Sequence, residues 1–264
     1  MRSRSPLSAQ VVTLIAMFAV LGTGASQAQA EDAFRPSLDL EDRGGMLEGS
    51  AVTEVGQIDF QVDYALTDYT AVSYVMNGKR ITWSIDLQER GVLTLDGRSV
   101  ESRAIVPMEK QDAVAFKSLL HAFELHGPQL AKIEDPVNST AVRHLVKTTE
   151  LLSMYGVGLP LQGQKQIDIG RAITSLCNHV GSWRAAIWDA NGTTKSKNFI
   201  VGGHGVCKGH CGGGCPSGDR EYTQDCLNHD ACVGEEGACA ACPVGVCGDE
   251  WWAASDDYVS APSC

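Results

Sequence analysis

Between residues 58 and 95, apolar and polar positions alternate. Ile58, Phe60, Val62 and Tyr64 form one apolar set, Val72, Tyr74 and Met76 a second, and Ile81, Trp83 and Ile85 a third. A period of two belongs to a half-buried strand. Asn77-Gly78 separates the second and third sets. That pair readily takes the positive φ angles of a type I′ turn, which predicts a hairpin. Leu93 and Leu95, ahead of Asp96-Gly97, add a further strand. From about Asp112 the period changes. Ala113, Phe116, Leu120 and Phe123 share one helical face, with Gly127-Pro128 as the stop. A second helix is expected from the cap candidates Asn138 and Ser139. It should bury Val142, Leu145, Thr149 and Leu152 and end at Gly156. A last hairpin is expected from Trp183 to Val201 around Asn191-Gly192.

Ahead of this pattern, Arg2 and Arg4 precede an apolar run from Val11 to Leu21, and Ala28-Gln29-Ala30 fits cleavage before Glu31. Residues 1–30 therefore read as a signal peptide and the protein as secreted, extracellular or periplasmic. No stretch approaches the run of about 20 apolar residues that spans a bilayer, so no transmembrane segment is expected. The 21 Lys and Arg face 32 Asp and Glu, for a net charge of −11; losing Arg2 and Arg4 would leave −13. This balance argues against nucleic acid, whose phosphates need clustered Lys and Arg. His121, His126 and His144 fall on the expected helices and read as core or surface histidines, and Glu41 and Asp42 as part of a solvated face.

The cysteines change the picture. None of the ten precedes Cys177, and nine lie between Cys207 and Cys264. From Gly202 onward the 63 residues include 12 Gly and 9 Cys, which leaves little for an apolar core, so crosslinks must hold this region. In an exported chain disulfides are the expected crosslink, with a zinc cluster as the weaker alternative. Cys177 is a candidate tie between body and tail. The fold class expected is α+β. Residues 31–201 form a body of antiparallel hairpins and two or more helices, its role unknown, and 202–264 a small disulfide-rich helical module.

Two stretches of this module carry chemistry. His210-Cys211-Gly212-Gly213-Gly214 has almost no side chains and can turn its carbonyls toward one point. Converging carbonyls suit calcium when a carboxylate completes the shell. The second is Asp225-Cys226-Leu227-Asn228-His229-Asp230-Ala231-Cys232. Tyr222, Cys226, His229 and Val233 are spaced for one side of a helix, with Asp219 as the N-cap candidate. Cys226 and Cys232 can anchor that helix. Asp230 would then ligate the cation and His229 take a proton from water.

Cys226-x-x-His229-Asp230-x-Cys232, preceded by Cys211-Gly212-Gly213-Gly214, resembles the active-site region of secreted phospholipase A2. Cys207-Lys208-Gly209-His210-Cys211 with Cys215-Pro216 is most similar to the plant-like branch of that family. The resemblance covers about residues 204–250. It implies a calcium-dependent hydrolase of the sn-2 ester of phospholipids, acting at a membrane or micelle surface. The carbonyls of His210, Gly212 and Gly214 and the Asp230 carboxylate would bind Ca2+, and His229 would be the general base. It also implies Cys211–Cys226 and, for Cys232, a partner on a following antiparallel helix, with Cys247 the best candidate. That pairing would face His229 toward Asp249 or Glu250. Asp249 is the favoured orienting acid, with Glu250, Asp256 and Asp257 as rivals, or else these acids are simply exposed.

Asp225 stands where the family has the first of two paired cysteines, so one family disulfide should be missing, and Val233 replaces a tyrosine often found after the last motif cysteine. The alternative reading is a non-catalytic, disulfide-rich binding module on a phospholipase A2-like scaffold. The module carries a net charge of −8, which predicts a preference for zwitterionic over anionic lipid. Trp251 and Trp252 are candidates for an interfacial anchor, or else they pack under the helix pair.

Overall fold

The computed structural model describes residues 34–66, 69–86, 92–126, 130, 136–166, 173–203, 207–212, 221–260 and 264. The signal-peptide expectation, the Gly127-Pro128 stop, Gly214, Cys215 and Asp219 lie outside them. The expected α+β class is found, with antiparallel hairpins, helices and a disulfide-rich C-terminal region.

Seven antiparallel strands form the main sheet in the order β1-β2-β3-β4-β5-β6-β7. They are β1 Ser37–Asp42, β2 Met46–Thr53, β3 Gly56–Leu66, β4 Tyr69–Met76, β5 Lys79–Asp86, β6 Val92–Ser99 and β7 Gln162–Gln166. The predicted turn is present: Asn77 and Gly78 take φ of 49° and 71°, and Met76 pairs with Lys79. β6 runs straight through Asp96-Gly97 instead of turning there. A β-carbon at Gly97 would lie 2.4 Å from that of Leu161, so only glycine admits the crossing chain. Glu41 and Asp42 are exposed, as expected, but sit on a regular strand.

Helices α1 (Lys110–Leu125) and α2 (Pro136–Met154) intervene between β6 and β7 and cover the apolar face of the sheet. Phe123 packs edge-on against Phe60, and Phe116 against Tyr74. The Tyr74 hydroxyl, wholly buried, meets Thr148 Oγ1 at 2.7 Å, Thr149 Oγ1 at 2.8 Å and the Leu145 carbonyl at 3.1 Å. The buried face of α1 is Asp112, Ala115, Phe116, Leu119, Ala122 and Phe123, rotated from the expected one. The cause is Asp112. Its carboxylate turns inward to Lys79 Nζ at 2.5 Å and accepts the Glu109 N–H at 2.9 Å, closing a capping box. α2 starts at Pro136, ahead of Asn138 and Ser139, because proline suits a first helical turn. Leu145, Thr149 and Leu152 are buried as expected.

The chain continues into a second hairpin, β8 Trp183–Ala190 and β9 Thr193–Ile200, whose turn residues Asn191 and Gly192 have φ of 53° and 75°. Two helices follow, α3 Gln224–Glu236 and α4 Gly248–Ser260. Ala186, Trp188 and Ala190 of the hairpin pack with Leu227, Ala231 and Cys232 of α3 in one apolar cluster. α4 joins the main core instead. Trp83 lies 6.4 Å from Trp251 and 5.9 Å from Trp252, ring centre to centre. A β-carbon at Gly163 of β7 would lie 2.0 Å from Trp252, so the strand can pass only as glycine. Both tryptophans are therefore core residues, and the interfacial-anchor alternative falls. The packing thus runs across residue 202 in both directions.

The cysteines are crosslinked, and none is free among the described residues. Cys211–Cys226 and Cys232–Cys247 are the pairs that the resemblance implies, and Cys239–Cys242 adds a short loop. Cys177–Cys264 joins the segment before the hairpin to the C-terminus. The zinc alternative falls with them.

Candidate active site

The site is built around α3. Its N-cap is Thr223, whose hydroxyl accepts the Cys226 N–H at 3.2 Å. Tyr222, expected on the helix, precedes it and forms an antiparallel bridge with His210. Around that bridge the Cys211 N–H donates to the Glu221 carbonyl at 2.9 Å and the Thr223 N–H to the Gly209 carbonyl at 3.0 Å. The Cys207–Gly212 loop is thereby fixed to the entry of α3. Gly209 and Gly212 adopt φ of 86° and 102°, which side-chain-bearing residues rarely take.

Cys226 and Asp230, one helical turn apart, share a side of α3. Cys226 holds Cys211 by a disulfide, and Asp230 Oδ2 accepts the Gly209 N–H at 2.8 Å. The structure therefore brings together Asp230 and the loop carrying His210 and Gly212. The carboxyl is largely enclosed. Burial raises its pKa to about 6, against the Gly209 amide and the Lys208 ammonium, which lower it. Lys208 Nζ donates to the Asp230 backbone carbonyl at 3.1 Å and stands 4.8 Å from the Phe199 ring centre. No three His, Cys, Asp or Glu side chains gather as a metal cage among the described residues. The loop contact at Asp230 is the Gly209 N–H; a carboxylate together with loop carbonyls is the donor set that calcium accepts, and His210 and Gly212 are the loop candidates for it.

His229, next on α3, is also largely enclosed. Burial lowers its pKa to about 4, partly offset by hydrogen bonding with the Ala240 backbone, so the imidazole is neutral at pH 7. Its Nε2 is buried with no hydrogen-bond partner among the described residues, so neither Asp249 nor Glu250 reaches that atom. Asp249 is exposed. It lines a shallow depression of about 220 Å³ with Lys165, Asn228 and Glu250. Glu250 Oε1 instead accepts the Asp189 N–H of β8 at 2.8 Å. Asn228 Oδ1 accepts the Ile187 N–H at 2.9 Å, and Gln224 Nε2 donates to the Ala185 carbonyl at 2.9 Å. Helix side chains thus occupy the outer edge of the hairpin.

The remaining rival acids lie on α4, where Asp257 meets Thr223, the N-cap of α3. Burial, then the neighbouring Asp257 and Asp225 carboxylates, push the Asp256 pKa up. Asp257 is raised by burial while bonded to the Thr223 side chain.

A family model described as Domain of unknown function (DUF8213) matches residues 165–264. No curated protein and no solved structure matches the chain. The matched stretch begins in β7 and takes in the hairpin, the α3 helix packed on it, and α4, whose approach Cys232–Cys247 ties to α3.

Sequence reasoning missed a group of charged and polar side chains beside the loop, with Lys147 and Glu221 buried. Lys147 and Glu150 of α2 meet Glu221 and Tyr258 there. The signal was Lys147 itself, three residues after buried His144 and four before buried Leu151, a charge on an inward-facing stripe.

Proposed function

We propose that the protein is a secreted, calcium-dependent hydrolase of the sn-2 ester of phospholipids. One observation carries the reading: the Asp230 carboxylate and the Gly209–Gly212 loop meet, clamped by Cys211–Cys226. A buried carboxyl held well above its usual range favours a cation beside it. His210 and Gly212 would supply carbonyls alongside Asp230. Bound calcium would supply positive charge to the ester carbonyl and its developing oxyanion. His229, neutral and one residue away, accepts the proton of the attacking water at its imidazole. In this reading the ring takes its orientation from packing and the Ala240 backbone instead of from Asp249.

The lipid contact would come from the hairpin. Trp183 is 66% exposed and its register partner Ile200 is 37% exposed, whereas Trp251 and Trp252 are buried. The acidity of residues 202–264 favours zwitterionic over anionic surfaces.

The test is release of fatty acid from phosphatidylcholine by the mature chain, with calcium and with chelator. Hydrolysis should require calcium and disappear in His229→Gln and Asp230→Asn. Calcium-independent hydrolysis, or full activity in either variant, sinks the reading. The exposed position of Asp249 favours the second reading, a non-catalytic binding module. Calcium-dependent adsorption to vesicles without fatty-acid release would select it.

A further inference from the structure

Helix α2 reaches the back of the Cys207–Gly212 loop by two routes. Lys147, 6% exposed, donates to Glu221 Oε1 at 2.7 Å. It also donates to the Tyr258 carbonyl in the last turn of α4 at 2.5 Å. Glu221 in turn accepts the Cys211 N–H through its backbone carbonyl at 2.9 Å. The second route runs through Glu150, three residues further on, whose carboxylate accepts the Tyr258 hydroxyl. The Tyr258 ring lies directly under Gly212. A β-carbon at Gly212 would lie 3.0 Å from Cε2 of Tyr258 and 3.4 Å from Oε1 of Glu150. On its other side the same loop is held by Cys211–Cys226 and by Gly209 on Asp230. It is therefore gripped between α3 and a base made by α2 and α4.

A buried lysine is costly unless its partners are in place, and a carboxylate left behind in such a site is costlier still. Glu221 is itself almost fully buried. The four side chains therefore stand or fall as a set, and two of them come from α2, well before residue 202.

We infer that Lys147 and Glu150 of α2 are positioning residues for the Gly209–Gly212 loop, so that the N-terminal region is part of the site and not an appended domain. The link to calcium rests on the proposed function; the link to loop order does not.

The test uses the full mature chain with Lys147→Met, Lys147→Arg, Glu150→Gln and Tyr258→Phe. Three readouts are needed: amide exchange at Cys211 and Gly212, calcium titration, and the split between kcat and calcium requirement in lipid hydrolysis. Lys147→Met should speed exchange at Cys211 about tenfold or more, because it leaves Glu221 buried without its ammonium. Exchange in β4 and β5 should speed up by less than at the loop. The calcium Kd should rise by a similar factor while kcat at saturating calcium holds, and Lys147→Arg should recover part of the loss. Tyr258→Phe and Glu150→Gln, milder changes, should loosen Gly212 selectively and cover the case in which Lys147→Met does not fold. Unchanged loop exchange in both milder variants would overturn the inference. So would equal loosening of loop and sheet, which marks a merely structural role. If the wild-type chain neither binds calcium nor releases fatty acid, the phospholipase reading falls, and exchange at Cys211 and Gly212 still decides the positioning.

Discussion

Removing the charge of Asp230 should stabilise the calcium-free fold, although it should abolish function. Enclosure raises this carboxyl from 3.8 to about 6 in the folded chain. At about 1.36 kcal/mol per pH unit this is ~3 kcal/mol in favour of the protonated form. Asp230 is not fully enclosed, and solvent screening reduces the figure to ~1–2 kcal/mol. Below about pH 4 the acid is protonated in both states and has no effect on stability. As pH rises from there to about 6, the unfolded chain gives up its proton first, and the folded state loses stability. Above about 6 the whole penalty is present. Asparagine cannot ionise and keeps a carbonyl oxygen for the Gly209 N–H. In chelator at neutral pH, Asp230→Asn should therefore melt a few degrees above wild type, at about 2–4 °C per kcal/mol for a chain of this size. The gap should close as pH is lowered through the interval between about 6 and 4. Excess calcium should reverse the order, because a ligand at about 100 times its Kd adds ~2.7 kcal/mol to wild type alone. Differential scanning fluorimetry across that pH range, with and without calcium, reads all of this. A variant less stable than wild type in chelator at neutral pH, or a gap that does not depend on pH, refutes the reasoning.

Three further outcomes are expected. Lipid hydrolysis at saturating calcium should rise as pH climbs through about 4 and then level, because only neutral His229 accepts a proton; a midpoint near the ordinary histidine value would show that the ring is not enclosed as described. Replacing both Cys177 and Cys264 with serine opens a crosslink of 87-residue separation, worth ~4–5 kcal/mol on the chain-entropy relation, and denaturant titration should show a loss of that order. Trp183→Ala should weaken adsorption to phosphatidylcholine vesicles without changing the melting temperature, and unchanged adsorption would move the lipid contact elsewhere.

What the sequence disclosed followed from local rules. Asn77-Gly78 and Asn191-Gly192 demand positive φ whatever surrounds them, so both hairpins were readable. α1 was placed correctly along the chain but rotated, because the partner that draws Asp112 inward is Lys79, on a strand far away in sequence. β7 was invisible: Gln162–Gln166 has no apolar residue, and its place beside β6 depends on Trp252 passing over Gly163. At the candidate site, Asp230, His229 and the glycine loop were legible because spacing along one helix and one disulfide fixes their approach. The fate of Glu250 was not, since it depends on where β8 docks. The base formed by Lys147, Glu150, Glu221 and Tyr258 draws on segments more than 100 residues apart, and only tertiary packing assembles it.

The outer edge of β8 has a consequence of its own. A two-stranded ribbon normally offers bare amides and carbonyls along its flank, ready to template another chain. Here Gln224, Asn228 and Glu250 occupy that row in register, so three polar helix side chains act as a counterfeit third strand. Along β8 the hairpin can then leave Trp183 and Ile187 in solvent without recruiting a neighbour by strand addition on that side. Losing any one of the three would convert an inert surface into a sticky one, long before it unfolded the protein.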